Sequence, residues 1–160
     1  MLRAVLRARC GYVPPALRQP GGKPVLAGER LHFNLSHSGP FALCGVGDAP
    51  LGVDIEAIRP RRPALPRYIM SDREFRWYEA QGGRWEDFYT LWTLKESICK
   101  YTGQGLDRAA RRIEAPLLAP GECARWQGLW LRAYGGPDWR AACCGEAEPG
   151  TLMWLSEEPV

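Results

Sequence analysis

A short alternating segment at positions 51–56, which reads LGVDIE, decides how this chain folds. In a β-strand successive side chains point to opposite faces, so the three apolar residues share one face while Asp54 and Glu56 share the other with Gly52. Strand geometry places the two carboxylates about 7 Å apart, in residue types that strands disfavour. A cation such as Mg²⁺, which prefers carboxylates, water and substrate phosphates, would relieve their repulsion. A solvated strand face with two ordinary acids is the alternative.

Two more strand-like runs, at residues 31–37 and 41–47, precede this segment. Turn-forming triplets separate the three runs, with Ser-Gly-Pro at 38–40 and Asp-Ala-Pro at 48–50. This spacing predicts consecutive antiparallel strands, the third of which runs over 51–58. Because Gly52 has no side chain, it leaves room beside the two acids for a ligand or for another backbone segment.

Helical patterns follow the third strand. Ser71 with Glu74 three residues later is a capping-box pattern and predicts a helix over 72–80. A longer helix is expected over 85–101, ended by the glycines that follow it, and an amphipathic helix over 1–10. Further β-like runs lie at 112–118, 128–134, 139–144 and 151–155. Strands, then helices, then strands predict a single α+β domain, in which helices pack on one face of an antiparallel sheet.

Composition narrows the function classes. The 160 residues suffice for one domain, and 46% hydrophobic with 24% charged residues is typical of a folded globular protein. The net charge of +3 offers no large basic surface, so no nucleic-acid partner is expected. No apolar run approaches the length of a membrane span, so no membrane role is expected either. Six cysteines without a CxxC pair, and only two histidines, argue against zinc and favour a reducing, cytoplasmic location.

The long helix carries a lysine in an unexpected place. Lys95 falls within an apolar stripe, where an unpaired ammonium would be costly. Glu96 and Lys100, four residues apart, lie at the edge of that stripe. The unremarkable interpretation is a helix-stabilising Glu96–Lys100 pair, with Lys95 extending outward to water. His37 ends the first strand at a polar turn suited to phosphate, although a lone histidine at a strand end is more often satisfied by local contacts.

Three motifs of the surfactin-synthetase-activating 4′-phosphopantetheinyl transferases resemble segments of this chain, in the same order: FNLSHS at 33–38, GVDIE at 52–56 and WTLKESICK at 92–100. The GKP sequence at 22–24 resembles a further element of that family. The resemblance is clear from about residue 21 to residue 105. It implies transfer of the phosphopantetheine arm of coenzyme A to a serine of an acyl or peptidyl carrier protein, which is holo-[acyl-carrier-protein] synthase activity.

The resemblance also assigns roles at the reaction centre. Asp54, Glu56 and Glu96 resemble the family's Mg²⁺ ligands. Lys100 resembles the lysine that stabilises or protonates the leaving phosphate, and Glu96 or a metal-bound water is the candidate base for the carrier serine. The chemistry is coherent, because a metal and a lysine neutralise the charge that builds on a diphosphate bridging oxygen.

Four residues resemble groups that bind coenzyme A. They are Lys23, Ser36 and His37, which resemble phosphate contacts, and Lys95, which resembles the second helix lysine. Members of this family usually contain two similar halves with coenzyme A between them. The resemblance implies that residues 1–20 are the tail of the first half and 21–160 the second half, so another chain would complete the pocket and a homo-oligomer is possible.

Two rival interpretations remain open at this stage. An Asp-x-Glu strand with a helical Glu and Lys also suits metal-dependent phosphodiester cleavage, as in a nuclease, and cleavage of plasmid DNA with Mg²⁺ that Asp54→Ala abolishes would favour it. The other interpretation is an inactive relative that still binds coenzyme A or a carrier protein. Binding without turnover would identify that case.

Overall fold

The computed structural model of the chain describes residues 1–18, 24–26, 30–105 and 110–154. The helices are Leu2–Cys10 (α1), Leu65–Ile69 (α2), Asp72–Ala80 (α3) and Trp85–Thr102 (α4). The strands are Ala16–Arg18 (β1), Pro24–Leu26 (β2), His32–Ser38 (β3), Phe41–Gly47 (β4), Leu51–Ala57 (β5), Cys123–Trp126 (β6), Leu129–Gly135 (β7) and Trp139–Gly145 (β8). A one-turn 3₁₀ helix spans Ala110–Arg112. These elements confirm the α+β class.

The largest sheet is antiparallel, with strand order β5-β8-β7-β6. Helix α4 packs on one face and supplies the buried Leu91, Leu94 and Ile98. Opposite them, the sheet contributes four small or apolar buried residues: Leu131, Ala133, Ala142 and Cys144. Asp54 lies beside Ala142 in the register, so the carboxylate face of β5 is the face that α4 covers.

Strand β5 is an edge strand, and side chains of β3 cover its open edge. The amide of Val53 donates to Asn34 Oδ1 at 2.9 Å, and the amide of Ile55 donates to Ser36 Oγ at 3.3 Å. β3 itself pairs with β4 in a separate hairpin. Hydroxyl and amide side chains thus satisfy backbone donors that would otherwise be an unpaired edge.

The two predicted helices α3 and α4 are confirmed, together with their ends. Ser71 Oγ accepts from the Glu74 amide at 3.3 Å, and the Glu74 carboxylate accepts from the Ser71 amide at 2.7 Å, so the capping box is present. α4 ends at Gly103, whose φ of 77° is the left-handed conformation that glycine adopts without strain.

Several predicted details are wrong. Residues 112–118 form no strand, because the backbone around them bonds to buried side chains instead of to a sheet: the Ala110 carbonyl accepts from Lys95 Nζ, and the Ala115 amide donates to Glu74 Oε1. Residues 151–154 are not a strand either, and Leu155 lies outside the described residues. The sequence interpretation missed five short elements: β1, β2, β6, α2 and the 3₁₀ helix at 110–112.

A second, smaller core is separate from the main one and involves α1, β2 and β3. Its buried residues are Leu6 of α1, Leu26 of β2 and Phe33 of β3. β1 pairs with β2 in antiparallel register, and the boundary predicted at residue 20 lies outside the described residues. The six cysteines are all free thiols. Among the helices in the described ranges, none combines the length and the apolarity needed to cross a bilayer.

Candidate active site

Asp54 is the centre of a polar cluster between β3, β5 and α4. It is only 4% exposed. Its Oδ1 accepts from Ser36 Oγ and from Lys100 Nζ, each at 2.8 Å, whereas its buried Oδ2 has no partner among the described residues. Burial raises the pKa of Asp54, and the Lys100 ammonium opposes that rise. A buried carboxylate oxygen with no donor is an unused ligand position.

Glu56 continues the cluster along β5. It shares the face of Asp54, and its Oε2 accepts a hydrogen bond from Ser38 Oγ of β3. Lys100 reaches over to β3 as well, since its Nζ also donates to Ser36 Oγ at 2.8 Å. Side chains from three distant parts of the sequence therefore meet at one place.

Gly52 determines how closely α4 approaches β5. A Cβ atom at this position would collide with the carbonyl oxygen of Ser97 and the amide nitrogen of Tyr101, and would lie 2.9 Å from the carbonyl carbon of Lys100. Of the two possibilities that the sequence left open, the space beside the acids holds a backbone segment. This contact lets Lys100 reach Asp54.

Glu96 lies on the same helix and is coupled to both acids of β5. Partial burial raises its pKa, and the charges of Asp54 and Glu56 raise it further, while Lys100 acts in the opposite direction. Within the described ranges, the three carboxylates thus interact with one another, and Asp54 and Glu96 also interact with the ammonium group of Lys100. Lys100 does more than the Glu96–Lys100 spacing suggested, because its Nζ also donates to Asp54 and Ser36.

The donor set suits a hard cation. Among the described residues, no three metal-ligating side chains are already gathered tightly enough to hold an ion. Mg²⁺ does not require such a cage, because it keeps several waters and uses one or two carboxylates together with substrate phosphates. The partnerless Oδ2 of Asp54 and the electrostatic coupling of Glu56 and Glu96 match that requirement.

Lys95 does not belong to this cluster. It is fully buried, and its Nζ donates to the Ile69 carbonyl at 2.9 Å, to Glu74 Oε2 at 2.6 Å and to the Ala110 carbonyl at 2.7 Å. Desolvation lowers the pKa of Lys95, and Glu74 partly reverses that effect. Three acceptors use all three N–H groups, so the predicted contact with coenzyme A and the alternative of a solvent-directed lysine both disagree with this geometry.

The structure does not bring the other two predicted coenzyme A contacts to the carboxylates among its described residues. His37 is exposed and, by strand alternation, points away from the face that carries Ser36. Lys23 lies outside the described residues. Sequence analysis assigned no role to Asn34 and Ser38, although the alternation of Asn34, Ser36 and Ser38 was a signal that all three share one side of β3.

The family model described as the 4′-phosphopantetheinyl transferase superfamily matches residues 50–143, which is more than half of the chain. Similar proteins include 4′-phosphopantetheinyl transferase psf-1 of Bacillus pumilus, with 36% identity over 104 residues, or 63% of this chain and 45% of that protein. The 4′-phosphopantetheinyl transferase Sfp of Bacillus subtilis strain 168 is 35% identical over 88 residues, which cover 53% and 39% of the two chains.

A longer match is found with the 4′-phosphopantetheinyl transferase HetI of Nostoc sp. strain PCC 7120. It extends over 140 residues at 33% identity and covers 79% of this chain and 58% of HetI. The chain spans about half the length of the curated relatives it matches. Because the family model covers residues 50–143, this protein belongs to the 4′-phosphopantetheinyl transferase superfamily.

Proposed function

We propose that this chain carries the reaction centre of a Mg²⁺-dependent transferase that moves 4′-phosphopantetheine from coenzyme A to a carrier-protein serine. The observation that carries the proposal is the meeting of Asp54, Ser36 and Lys100, which come from three separate motifs and lie within hydrogen-bond distance. Bound Mg²⁺, held by Asp54, Glu56 and Glu96, would supply positive charge next to the diphosphate.

The proposed reaction forms one phosphorus–oxygen bond and breaks another. The carrier serine oxygen attacks the phosphorus that bears the pantetheine arm, and the bridging oxygen leaves on adenosine 3′,5′-bisphosphate. Charge grows on that oxygen during the transfer, so a positioned cation lowers the barrier. Lys100, which is 29% exposed and already lies over the cluster, is the group we assign to stabilise or protonate it.

Glu96 is the group we assign to accept the serine proton, directly or through a water. Its raised pKa makes it a stronger proton acceptor than an exposed glutamate. Ser36 holds both Asp54 and Lys100 in place through its hydroxyl. His37 and Lys23 remain candidates for the phosphates of coenzyme A.

A carrier protein has an accessible surface nearby on α2 and α3. Tyr68 is 73% exposed, and the Arg67 guanidinium lies 4.8 Å from the centre of the Phe75 ring. Exposed aromatic and arginine side chains are typical of protein interfaces and suit an acidic partner. Phe75 and Trp77 also pack against the main core, so Tyr68 and Arg67 are the more accessible side chains of this surface.

The remaining parts of the proposal concern what surrounds this centre. We assign residues 1–20 to the first of the family's two similar halves and 21–160 to the second. A second chain, which in the simplest case is another copy, would complete the coenzyme A pocket. The six free thiols are compatible with a cytoplasmic location, which is part of the proposal.

Intact-mass spectrometry of an apo carrier protein, incubated with the chain, coenzyme A and Mg²⁺, tests the proposal directly. We expect the mass to rise by one phosphopantetheine, and Glu96→Gln to reduce the rate by about 10²–10⁴-fold. Glu86→Gln, the same change earlier on α4, is the matched control and should transfer normally. Binding of coenzyme A without any mass gain across several carriers would reject transferase activity and favour the inactive binding relative.

A further inference from the structure

The buried ion pair between Glu74 and Lys95 is the one fully enclosed charge pair that the described residues contain. Both side chains are 0% exposed and their atoms lie 2.6 Å apart. Lys95 also holds the carbonyl oxygens of Ile69 and Ala110. Glu74 accepts from the amides of Ser71 and Ala115, at 2.7 and 3.0 Å. Three of these four backbone bonds join a charged group to a different segment, and the fourth, from the Ser71 amide, closes the capping box of α3.

These bonds link three parts of the molecule. The first is the elbow at residues 69–74, where α2 turns into α3. The second is the segment 110–115, which belongs to no strand and bonds to the two charged groups through the Ala110 carbonyl and the Ala115 amide. The third is α4, on which Lys95 directly precedes Glu96. Since α2 and α3 carry the exposed Tyr68 and the Arg67–Phe75 pair, the ion pair lies between that surface and the catalytic helix.

Stability alone does not account for a pair of this kind. Removing two charges from water is costly, and replacing a buried ion pair with packed apolar residues is often neutral or stabilising. What apolar residues cannot replace is the set of directional bonds to four backbone groups. The geometry of these bonds, rather than their net free energy, is the property that the pair provides.

We propose that Glu74 and Lys95 are positioning residues that hold the 69–74 elbow and the 110–115 segment in register with α4, and thereby set the carrier-docking surface relative to Glu96. The second part of this inference rests on the proposed function. Neither side chain touches substrate in this arrangement, because both are enclosed. The pair acts through the backbone that it holds.

The test compares three variants. Lys95→Met leaves Glu74 buried without its counter-charge. The double variant Glu74→Leu/Lys95→Met removes both charges, so it restores packing without restoring the backbone bonds. Leu131→Ala, in the same core but distant from these bonds, is the control for general loss of stability. Hydrogen exchange of residues 69–75 and 110–118 and steady-state kinetics are measured for each.

We expect the double variant to regain much of the stability that Lys95→Met loses, and still to exchange faster in both segments. Its kcat/KM for the carrier should fall by about 10- to 100-fold, while its KM for coenzyme A stays within about twofold of the wild type. Lys95→Arg should not rescue the carrier KM, because a planar guanidinium does not match three acceptors placed around one ammonium.

Two results would overturn the inference. One is hydrogen-exchange protection of residues 69–75 and 110–118 in the double variant that is equal to their protection in the wild type. The other is an equal increase of the carrier KM in Leu131→Ala and in the double variant, because the effect would then follow the loss of stability alone. The exchange measurement needs no turnover. A wild-type chain that fails to transfer would therefore reject the proposed function, while the exchange result would still decide whether the pair holds the two segments.

Discussion

Helix α4 takes part in two carboxylate–lysine contacts of similar length that differ in almost everything else. Lys95 meets Glu74 at 2.6 Å, with both side chains enclosed and every donor of the lysine used. Lys100 meets Asp54 at 2.8 Å, but Lys100 is 29% exposed and Asp54 Oδ2 has no partner in the described part of the chain.

The difference separates an ion pair whose bonding capacity is used up from one that can still bind a ligand. Around Lys95 the charges balance and the hydrogen bonds are complete, so nothing further can bind without breaking them. Around Lys100, the described residues Asp54, Glu56 and Glu96 provide three carboxylates, and the pKa of both Asp54 and Glu96 is raised. Perturbed groups with unused ligand capacity are typical of functional sites.

The largest contrast comes from removing one carboxylate charge in each contact. Glu74→Gln should reduce the free energy of unfolding by about 3–5 kcal/mol, because it leaves the enclosed Lys95 ammonium without a counter-charge. Asp54→Asn should change it by less than about 1 kcal/mol, since Lys100 reaches water and repulsion from the other acids is relieved. Urea unfolding of both variants measures this difference.

Activity should show the reverse order for the same two substitutions. We expect Asp54→Asn to reduce transfer by about 10²–10³-fold while the protein remains folded. If Asp54→Asn were as destabilising as Glu74→Gln, the distinction between the closed Glu74–Lys95 contact and the open Asp54–Lys100 contact would be wrong.

Gly52→Ala should disturb the Asp54–Lys100 contact by displacing α4, the helix that carries Lys100. The new methyl group meets the backbone of α4 at Ser97 and Tyr101, which cannot rotate away. We expect a loss of about 1–3 kcal/mol in stability, with Lys100 displaced from Asp54 and transfer reduced more than stability explains. Gly47→Ala is the control, because a Cβ atom there finds its nearest neighbours at 3.6 Å or more. Equal losses for the two variants would contradict this account of Gly52.

Mg²⁺ should stabilise the protein by binding at the Asp54–Lys100 contact and should leave the Glu74–Lys95 contact unchanged. At a concentration ten times its dissociation constant, Mg²⁺ should add about 1.4 kcal/mol to the stability of the wild type. Asp54→Asn should lose most of this gain, whereas Glu86→Gln should keep it. Thermal unfolding with and without Mg²⁺ measures the effect, and equal gains in the wild type and Asp54→Asn would place the ion elsewhere.

The smallest expected effect is a pH dependence that comes from Glu96. The pKa of Glu96 is higher in the folded chain than its ordinary value. The contribution of Glu96 to stability is therefore complete below the ordinary pKa, and it is lost as the pH rises through the pKa of the folded chain. In metal-free protein, Glu96→Gln should therefore be more stable than the wild type near neutral pH, by no more than about 1 kcal/mol. The advantage should disappear at about pH 4, where an ordinary glutamate is partly protonated. If the stability advantage of Glu96→Gln instead grew as the pH falls, folding would lower the pKa of Glu96 rather than raise it.

Much of the fold was predictable because local rules determine it. Alternation along β5 puts Asp54 and Glu56 on one side, the Ser71–Glu74 capping box starts α3, and a glycine ends α4. The segment 112–118 resisted prediction for a physical reason. Its apolar residues resemble a strand, but the neighbouring backbone bonds to the side chains of Lys95 and Glu74, which no local pattern reveals.

The sequence by itself determined which chemical groups exist, their order, and which of them share a face of a strand or helix. Only the tertiary structure decided their partners. Four-residue spacing allowed Lys100 to pair with Glu96, yet the close approach at Gly52 brings Lys100 to Asp54. Backbone periodicity is a property of neighbouring residues, whereas the choice of an ionic partner depends on which distant segments pack together and on how much water they leave between them.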